Sequence, residues 1–474
     1  MTRFLDLMEP ILRILPEVPK PQRKLDLRQR LLWTGLVLAI YLIMCEIPLY
    51  GVPIFTTEYE QLLIYRIIFA SKKGSLMDLG IGPIVTAGLI MQILAGSKLI
   101  NVDLSKPRDR ALFTGTQKFL AIIMTIFEAI AFLIGGSYGR PDFTISIIII
   151  LQLTLVGILV ILMDELIQKG WGIGSGVSLF ILAGVSQQIV WLTFSPIGPL
   201  PDGKSLGALL AFFQTLIVGD NIINAFMRYP YPDMTGFLAM VGIFLLVVYL
   251  EGMRIEIPVA HQKYGGLRAK IPLKLLYVSN IPIILTSVLF ANFYMFGRLI
   301  WQNFNFLNNN PWVNWFVMMN VTATHESVLP GCFLYYITSP RSILHVMEDP
   351  IHALIYILIL LLFSVIFARI WVEVAGMGAK AQAEQLVRAG LQIPGFRRSP
   401  MIIEQMLNRY IPPLTILSGI IIGLLAGIAD ILGAIGTGIG ILLSVGIIYQ
   451  YYQFLAKEQL EELYPRIGKL LGKE

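Results

Sequence analysis

Long apolar runs dominate the chain, and the polar positions gather between these runs instead of alternating with them. A helix needs about 20 mostly apolar residues to cross the hydrocarbon core of a bilayer. The sequence contains ten candidate runs, so we predict an all-α membrane protein with ten transmembrane helices. The predicted spans lie at 31–50, 80–97, 111–135, 143–163, 173–194, 236–250, 275–297, 350–372, 413–430 and 436–456.

The composition agrees with this prediction. Of the 474 residues, 56% are hydrophobic and 14% are charged, whereas soluble domains carry roughly 25% charged residues. The chain therefore lacks the polar surface that a soluble globule of this length needs, which excludes a soluble enzyme or a disordered chain. Two cysteines and four scattered histidines do not form a disulfide framework or a metal-ligand pattern, and we expect neither a metal nor a cofactor.

The placement of the basic residues predicts the orientation. Of the 36 Lys and Arg, 26 fall in the two tails and the even-numbered loops, and 8 fall in the odd-numbered loops. Because cytosolic segments carry the excess of Lys and Arg, both termini are predicted to be cytosolic. The N-terminal tail also has apolar residues at helical spacing, which predicts a helix lying along the cytosolic face. These residues are Phe4, Leu7, Met8, Ile11, Leu12 and Leu15.

Ten spans divide naturally into five and five. We predict an N-terminal half at 1–235 and a C-terminal half at 236–474, related as in inverted-repeat membrane folds. Between spans 1 and 2 lies a mixed stretch, 56–78, which is too short and too charged to cross the membrane. This stretch is predicted to lie on the interface or to fold back as a re-entrant segment.

Few residues inside the spans carry chemistry. Glu128 is the one charge well inside an apolar run, and an unpaired charge there costs at least about 2.5–3.5 kcal/mol. It is therefore expected to find a polar partner or to extend toward the interface. Two i, i+4 aliphatic pairs, Ile81 with Val85 and Val177 with Ile181, each share a helix face. Taken alone, such pairs are typical of packing or lipid-facing residues.

The basic loops after spans 6 and 8 carry five Lys or Arg each. Arg397 and Arg398 follow Pro394-Gly395, which is a turn signal. Exposed arginines on a turn suit phosphate binding, because the guanidinium presents a planar fork of donors. A topology signal combined with contacts to anionic lipids accounts for the same residues, and the pattern alone leaves both interpretations open.

Four longer motifs carry a family resemblance. GIGPIVTAGLIMQILAGS at 80–97, GWGIGSGVSLFILAGVSQ at 170–187, YVSNIPIIL at 277–285 and GFR…RYIPPLT at 395–415 resemble the SecY family, in its archaeal form. This family supplies the alpha subunit of the Sec protein-conducting channel. The resemblance implies an hourglass of two pseudo-symmetric halves through which unfolded secretory polypeptides cross. Transmembrane segments of the transported polypeptide would leave sideways, between spans 2–3 and spans 7–8. The resemblance also implies that the chain itself has no enzymatic activity.

The resemblance also assigns roles to residues at the waist and the gate. A ring of aliphatic side chains would close the waist of the channel, and Leu442 is an alternative to Leu443 as its member from span 10. The ring comprises Ile81, Val85, Val177, Ile181, Ile284 and Leu443. A polar cluster at the lateral gate would consist of Thr86, Glu128 and Asn292.

A plug helix that blocks the external funnel is implied at Leu63, Ile64, Tyr65, Arg66, Ile67, Ile68, Phe69, Ala70, Ser71, Lys72 and Lys73. Ribosome or partner docking is implied at Arg254, Lys263, Arg268, Lys270, Arg397 and Arg398. Some relatives carry an arginine at the tip of loop 6, where this chain has Gly265-Gly266. Arg268 and Lys263 are expected to substitute for it.

The implied partners are two small membrane subunits, one like SecE (gamma) and one like SecG or Sec-beta. The other implied partners are the ribosome with its RNA, signal sequences, nascent polypeptides and the lipid bilayer. The implied location is the plasma membrane. An inverted-repeat secondary transporter of a small solute is the alternative function, and an insertase without a through-pore is a third. A transporter needs a polar midplane site, whereas the few intramembrane charges of this chain favour a channel.

Overall fold

The computed structural model describes most of the chain, and nearly all of the described part is helical. The described residues are 4–23, 25–52, 70–97, 99–100, 102, 106–139, 141–228, 231–261, 267–321, 326–340, 342–388, 391–392 and 400–463. Within them, nine helices are long and apolar enough to cross a membrane. A shorter apolar helix at Gly82–Gly96 corresponds to the one remaining predicted span, which is the second along the chain. The prediction of a helical membrane fold is therefore confirmed.

The first part of the chain contains the tail helix and five spans. Its helices are α1 (Phe4–Leu12), α2 (Leu27–Glu46), α3 (Gly82–Gly96), α4 (Pro107–Ile134), α5 (Phe143–Leu166), α6 (Gly176–Phe194), α7 (Ala208–Val218) and α8 (Ile223–Phe226). A five-residue π turn, Ile167–Trp171, continues α5.

The second part contains five more spans and the strands. Its helices are α9 (Met234–Gly252), α10 (Ile281–Phe304), α11 (Pro311–Asn314), α12 (Phe333–Ile337), α13 (Ile343–Glu348), α14 (Pro350–Val374), α15 (Ala379–Arg388), α16 (Pro400–Leu407), α17 (Ile411–Ile431) and α18 (Gly438–Leu463). Its strands are β1 (Arg254–His261), β2 (Leu267–Lys274), β3 (Met319–Val321), β4 (Glu326–Val328) and β5 (Leu391–Gln392).

Several span boundaries differ from the predicted ones for local reasons. The first span ends at Glu46 instead of residue 50, because the residue before Pro48 is disfavoured in helical conformation and Ile47 is extended. The second span begins at Gly82, with Pro83 in its first turn, where a missing N–H costs nothing. Gly80 just before it has a φ of 55°, which favours glycine.

The basic loops predicted after spans 6 and 8 are joined by strands that the pattern did not predict. β1 and β2 form an antiparallel hairpin in the register Arg254–Lys274 to His261–Leu267. The short strand β5, from the loop after α14, pairs with the end of β1. The two loops therefore form one three-stranded sheet, in the order β2-β1-β5.

The tail helix α1 packs against α4, where Leu12 fills the space beside Gly115. Glu9 accepts a hydrogen bond from Arg108 at the start of α4 (3.1 Å). Beyond α1, Lys169 after α5 donates to the Val18 carbonyl (2.6 Å). The predicted amphipathic helix is thus present, but it ends at Leu12, before Leu15, and packs against α4.

Candidate functional site

Four helices bring the six predicted ring residues together. Ile81 and Val85 come from α3 and its first flanking residue, Val177 and Ile181 from α6, Ile284 from α10 and Leu443 from α18. All six belong to, or pack against, one hydrophobic cluster. Leu442 and Leu443 are both fully buried in this cluster, so burial does not distinguish the two candidates for the sixth position.

A buried carboxylate fixes the helix that carries Val177. Asp164 near the end of α5 accepts a hydrogen bond from the Val177 backbone N–H (3.0 Å) at the first turn of α6. Its second oxygen accepts from Gln168 (2.7 Å). A Cβ at Gly176 would contact the Asp164 backbone at 2.7 Å. Asp164 therefore caps α6, a role that the sequence analysis did not assign.

A second missed residue joins α10 to α18. Asn280 immediately precedes α10, and its amide donates a hydrogen bond to the Leu442 carbonyl (2.9 Å). The approach is close enough that a Cβ at Gly446 would overlap the Asn280 amide. This contact joins the span carrying Ile284 to the span carrying Leu443. The quoted motif YVSNIPIIL contains Asn280, but its spacing alone does not reveal a partner so distant in the chain.

The three predicted gate residues form a chain of hydrogen bonds between α3, α4 and α10. The Asn292 amide donates to the Thr86 hydroxyl (3.4 Å) and to the Val288 carbonyl (2.9 Å). Thr86 in turn hydrogen-bonds the Glu128 carboxyl. Glu128 is only 5% exposed, so it is buried beside a polar partner and does not extend toward the interface. Its Oε1 has no hydrogen-bond partner among the described residues.

Of the predicted plug, only the last four residues fall in the described part of the chain, and Leu63–Phe69 lie outside it. Ala70 is buried, and its carbonyl accepts a hydrogen bond from Tyr41 on α2 (3.0 Å). Tyr41 stacks on Phe180 of α6 with a centroid distance of 4.9 Å. Lys72 is paired with Glu46 at 2.7 Å. This end of the segment therefore packs between α2 and α6.

Three of the six predicted docking residues lie on the three-stranded sheet, Arg254 on β1 and Arg268 and Lys270 on β2. Lys270 on β2 is exposed and pairs with Glu256 at 2.5 Å, and the hydrogen bond from Lys270 to Glu256 raises the pKa of the lysine. Arg254 donates to the Tyr449 hydroxyl (3.0 Å). Arg268 lies on β2 opposite Ala260. Lys263, Arg397 and Arg398 lie outside the described residues.

The chemistry of this arrangement is apolar. Aliphatic side chains from four spans meet in one cluster, and the described residues contain no cluster of His, Cys, Asp or Glu suited to a metal ion. A constriction of aliphatic side chains gates by excluding water. The hydrogen bonds among Asn292, Thr86 and Glu128 lie on the side where α3 and α4 meet α10.

Comparisons with known proteins agree with this arrangement. A family profile described as SecY matches residues 75–452, and one described as the plug domain of Sec61p matches residues 40–74. The chain is 42% identical to the protein translocase subunit SecY of Pyrococcus furiosus, over 98% of this chain and 99% of the relative. It is also 42% identical to the Sec61 subunit alpha of Dictyostelium discoideum, over 99% of each.

Solved structures give the same result. One described as a protein-conducting channel has a TM-score of 0.79 at 39% identity, and the match covers 98% of this chain and 99% of that one. Sec61 in a canine ribosome–channel complex has a TM-score of 0.77 at 38% identity, covering the same shares of the two chains.

The fold and these comparisons define a protein-conducting membrane channel. The chain belongs to the SecY family. Membership in a channel family excludes both the alternative of a small-solute transporter and an enzymatic activity.

The contact between Asn280 and Gly446 generates a prediction about packing. Gly446→Ala should lower the thermal stability of the purified chain, since overpacking costs about 1–3 kcal/mol and the Asn280 amide must move. Gly35→Ala on α2 is the matched control, because a Cβ there meets nothing within 4 Å. That control should gain stability, as alanine favours helices over glycine by up to about 1 kcal/mol.

Asn280→Ala separates this contact from other effects. Alone, it should cost roughly 1 kcal/mol for the lost hydrogen bond. In the Gly446→Ala background, Asn280→Ala should lower the free energy of unfolding by less, because it also removes the overlap between the new Cβ and the Asn280 amide. Strictly additive melting shifts in the double variant would contradict the assigned contact.

Proposed function

We propose that this chain is the pore-forming subunit of a Sec translocon, in which the six ring residues seal the idle channel. The observation that carries this proposal is the single hydrophobic cluster in which side chains from α3, α6, α10 and α18 meet. Aliphatic side chains exclude water and ions when they pack together. They are also deformable and make no specific polar contacts, so they close around a polypeptide of any sequence during transit.

We further propose that residues 1–235 and 236–474 act as two halves that open at the lateral gate. The proposed boundary falls in the first turn of α9, which begins at Met234. Asn292 on α10 reaches Thr86 on α3 across the gate (3.4 Å). Interhelical hydrogen bonds in membranes are worth about 0.6 kcal/mol on average. Such a bond holds the idle gate and is weak enough for a hydrophobic signal sequence to displace.

The plug proposal rests on the end of that segment. Ala70 is buried and hydrogen-bonded to Tyr41 of α2, and Tyr41 stacks on Phe180 of the ring helix α6, so the described end of the segment is held beside these two helices. Gly74 has a φ of 69°, a conformation that favours glycine. Arg66, Lys72 and Lys73 make the segment polar enough to leave the funnel when the pore opens.

We propose that the sheet β2-β1-β5 and the loop containing Arg397 and Arg398 dock the ribosome through its RNA. The sheet brings the basic loops after spans 6 and 8 together, and clustered Lys and Arg bind phosphates with strong salt dependence. Lys270 is already paired with Glu256, so we assign more of the contact to Arg397 and Arg398. Sec61 is a member of a canine ribosome–channel complex.

The proposed location is the plasma membrane with both termini in the cytosol, because Lys and Arg concentrate in the tails and the even-numbered loops. The proposed partners within the membrane are single-span subunits like SecE and SecG or Sec-beta. Exposed apolar side chains on the spans suit both such helices and lipid. The energy for transit comes from translation or another motor, since the sequence contains no phosphate-binding Walker motif.

The seal at the waist is tested in a background that lacks residues 63–73. Replacing Ile81, Val85 and Ile284 by glycine should widen the constriction and raise the resting ion conductance in planar bilayers. Replacing the same three residues by leucine is the matched control, and conductance should stay low because the apolar character is kept. If the glycine variants conduct no more than the leucine variants, the ring is assigned to the wrong residues.

The gate is tested by removing its hydrogen bonds. Glu128→Leu, Asn292→Leu and Thr86→Val together should shift the gate equilibrium by roughly threefold per bond lost, from about 0.6 kcal/mol each. The hydrophobicity at which test segments pass from secretion to membrane insertion should move accordingly. Thr125→Val on α4 is the control, because the Thr125 hydroxyl bonds only the Ala121 carbonyl of its own helix (2.8 Å). An unchanged threshold in the triple variant would contradict the gate assignment.

Docking is tested by charge reversal. Arg397→Glu with Arg398→Glu should weaken ribosome binding and reduce the slope of log affinity against log salt by about two, or about one per phosphate contact. Arg13→Glu with Arg108→Glu applies the same change of charge at two exposed arginines that pair with Glu9, on the same proposed face but outside the sheet. The docking role is refuted if both double variants bind alike at every salt concentration.

A further inference from the structure

The segment that follows α10 exposes large apolar side chains to an unusual degree. We name residues 304–316 the aromatic loop. Its exposed members and their exposed fractions are Phe304 (70%), Phe306 (63%), Leu307 (73%), Trp312 (84%) and Trp315 (65%). The sequence from 299 to 325 contains no Lys, Arg, Asp or Glu. A loop surrounded by water normally carries charge, whereas a contiguous exposed apolar patch marks an interaction surface.

A scaffold of asparagines holds this loop in shape. The Asn305 amide donates to the Asn314 side-chain oxygen (2.8 Å), and the Asn314 amide donates to the Asn308 carbonyl (3.1 Å). Asn308 accepts from the Trp301 indole (2.9 Å) and donates to the Met319 carbonyl (2.9 Å). The side chains of Asn305, Asn308 and Asn314 are therefore bonded within the protein, while the large apolar side chains of the loop are exposed. The exposed aromatic surface is built into the fold and does not arise from a failure to pack.

The position of the loop indicates what covers it. α10 is a membrane span that ends at Phe304, so the loop starts where the chain leaves the hydrocarbon. An apolar groove between α4 and α10, which includes Phe127, Ile130 and Ile134, continues to Phe304. Those three α4 side chains are themselves exposed and face the lipid. The exposed surface of the loop is thus continuous with the lipid-facing surface of the spans.

We propose that the aromatic loop is seated in the bilayer itself, at the boundary between headgroups and acyl chains, with Trp312 and Trp315 as its anchors. Tryptophan is enriched at this boundary because its ring is apolar and its indole N–H reaches the polar layer. The lack of charge suits a zwitterionic lipid surface. The seated loop holds the end of α10, which is the span that carries Ile284 of the ring and Asn292 of the gate.

The depth of a spin label tests this proposal on the full chain in pure phosphatidylcholine vesicles. Trp312→Cys and Leu307→Cys supply two independent labelling sites. Pro201→Cys is the matched control, because residue 201 is an exposed turn position after α6, which ends on the same membrane face as α10. The native Cys45 and Cys332 are buried, so the unsubstituted chain measures background labelling.

We expect the labels at 312 and 307 to collide several-fold more with oxygen, which concentrates in lipid, than with a water-soluble nickel chelate. The label at 201 should show the reverse preference. If the labels at 312 and 307 prefer the nickel chelate, as 201 does, the lipid proposal is overturned. A label that is reached by nickel in pure lipid vesicles but shielded in native membranes would assign the loop to a protein partner and would overturn it equally.

Discussion

The absence of water in the membrane core is the constraint on which the rest of this structure depends. Lipid tails are as apolar as leucine, so burial of apolar surface does not by itself drive the helices together. The contacts between spans therefore rely on small residues and a few buried hydrogen bonds. Ser364 on α14 donates to the Gly419 carbonyl on α17 (2.9 Å). Asp430 at the end of α17 accepts from Tyr356 on α14 and from the Gly438 N–H at the start of α18 (2.7 and 2.8 Å).

The same constraint separates the permanent contacts from those that must break. Asp164 accepts hydrogen bonds from its own helix and from the first turn of α6, which fixes a ring helix in place. The contact between Asn292 and Thr86 is longer, at 3.4 Å, and joins helices that the proposed gate separates. A polypeptide channel needs both permanent and breakable contacts, because most helix interfaces must persist while the interface at the gate opens repeatedly.

The sequence predicted the spans well because twenty consecutive apolar residues have few other stable environments. It predicted boundaries less well, since these depend on local backbone preferences such as those at Pro48 and Gly80. Glu128 could be singled out because its burial is costly, and the family motif then supplied its partners. Asn280 was not assigned a role, because its partner on α18 lies 162 positions away and hydrophobic periodicity carries no information about that distance. The strands in the loops after spans 6 and 8 were missed although their residues alternate between apolar and polar types, because a search for long apolar runs does not detect a period of two.

The paired strands β1 and β2 form a hairpin that connects two spans, α9 and α10. β1 begins two residues after α9 ends, and β2 leads back toward α10, so the hairpin is an arm of about 26 Å for eight residues of strand. The strand β2 connects to α10, which is the span that carries Ile284 and Asn292. Among the described residues, two pairs join β5 to β1 whereas eight pairs join β1 to β2, so β5 is held more weakly than the two strands of the hairpin. A force applied to the hairpin acts on the ends of α9 and α10, because its two strands connect to these spans.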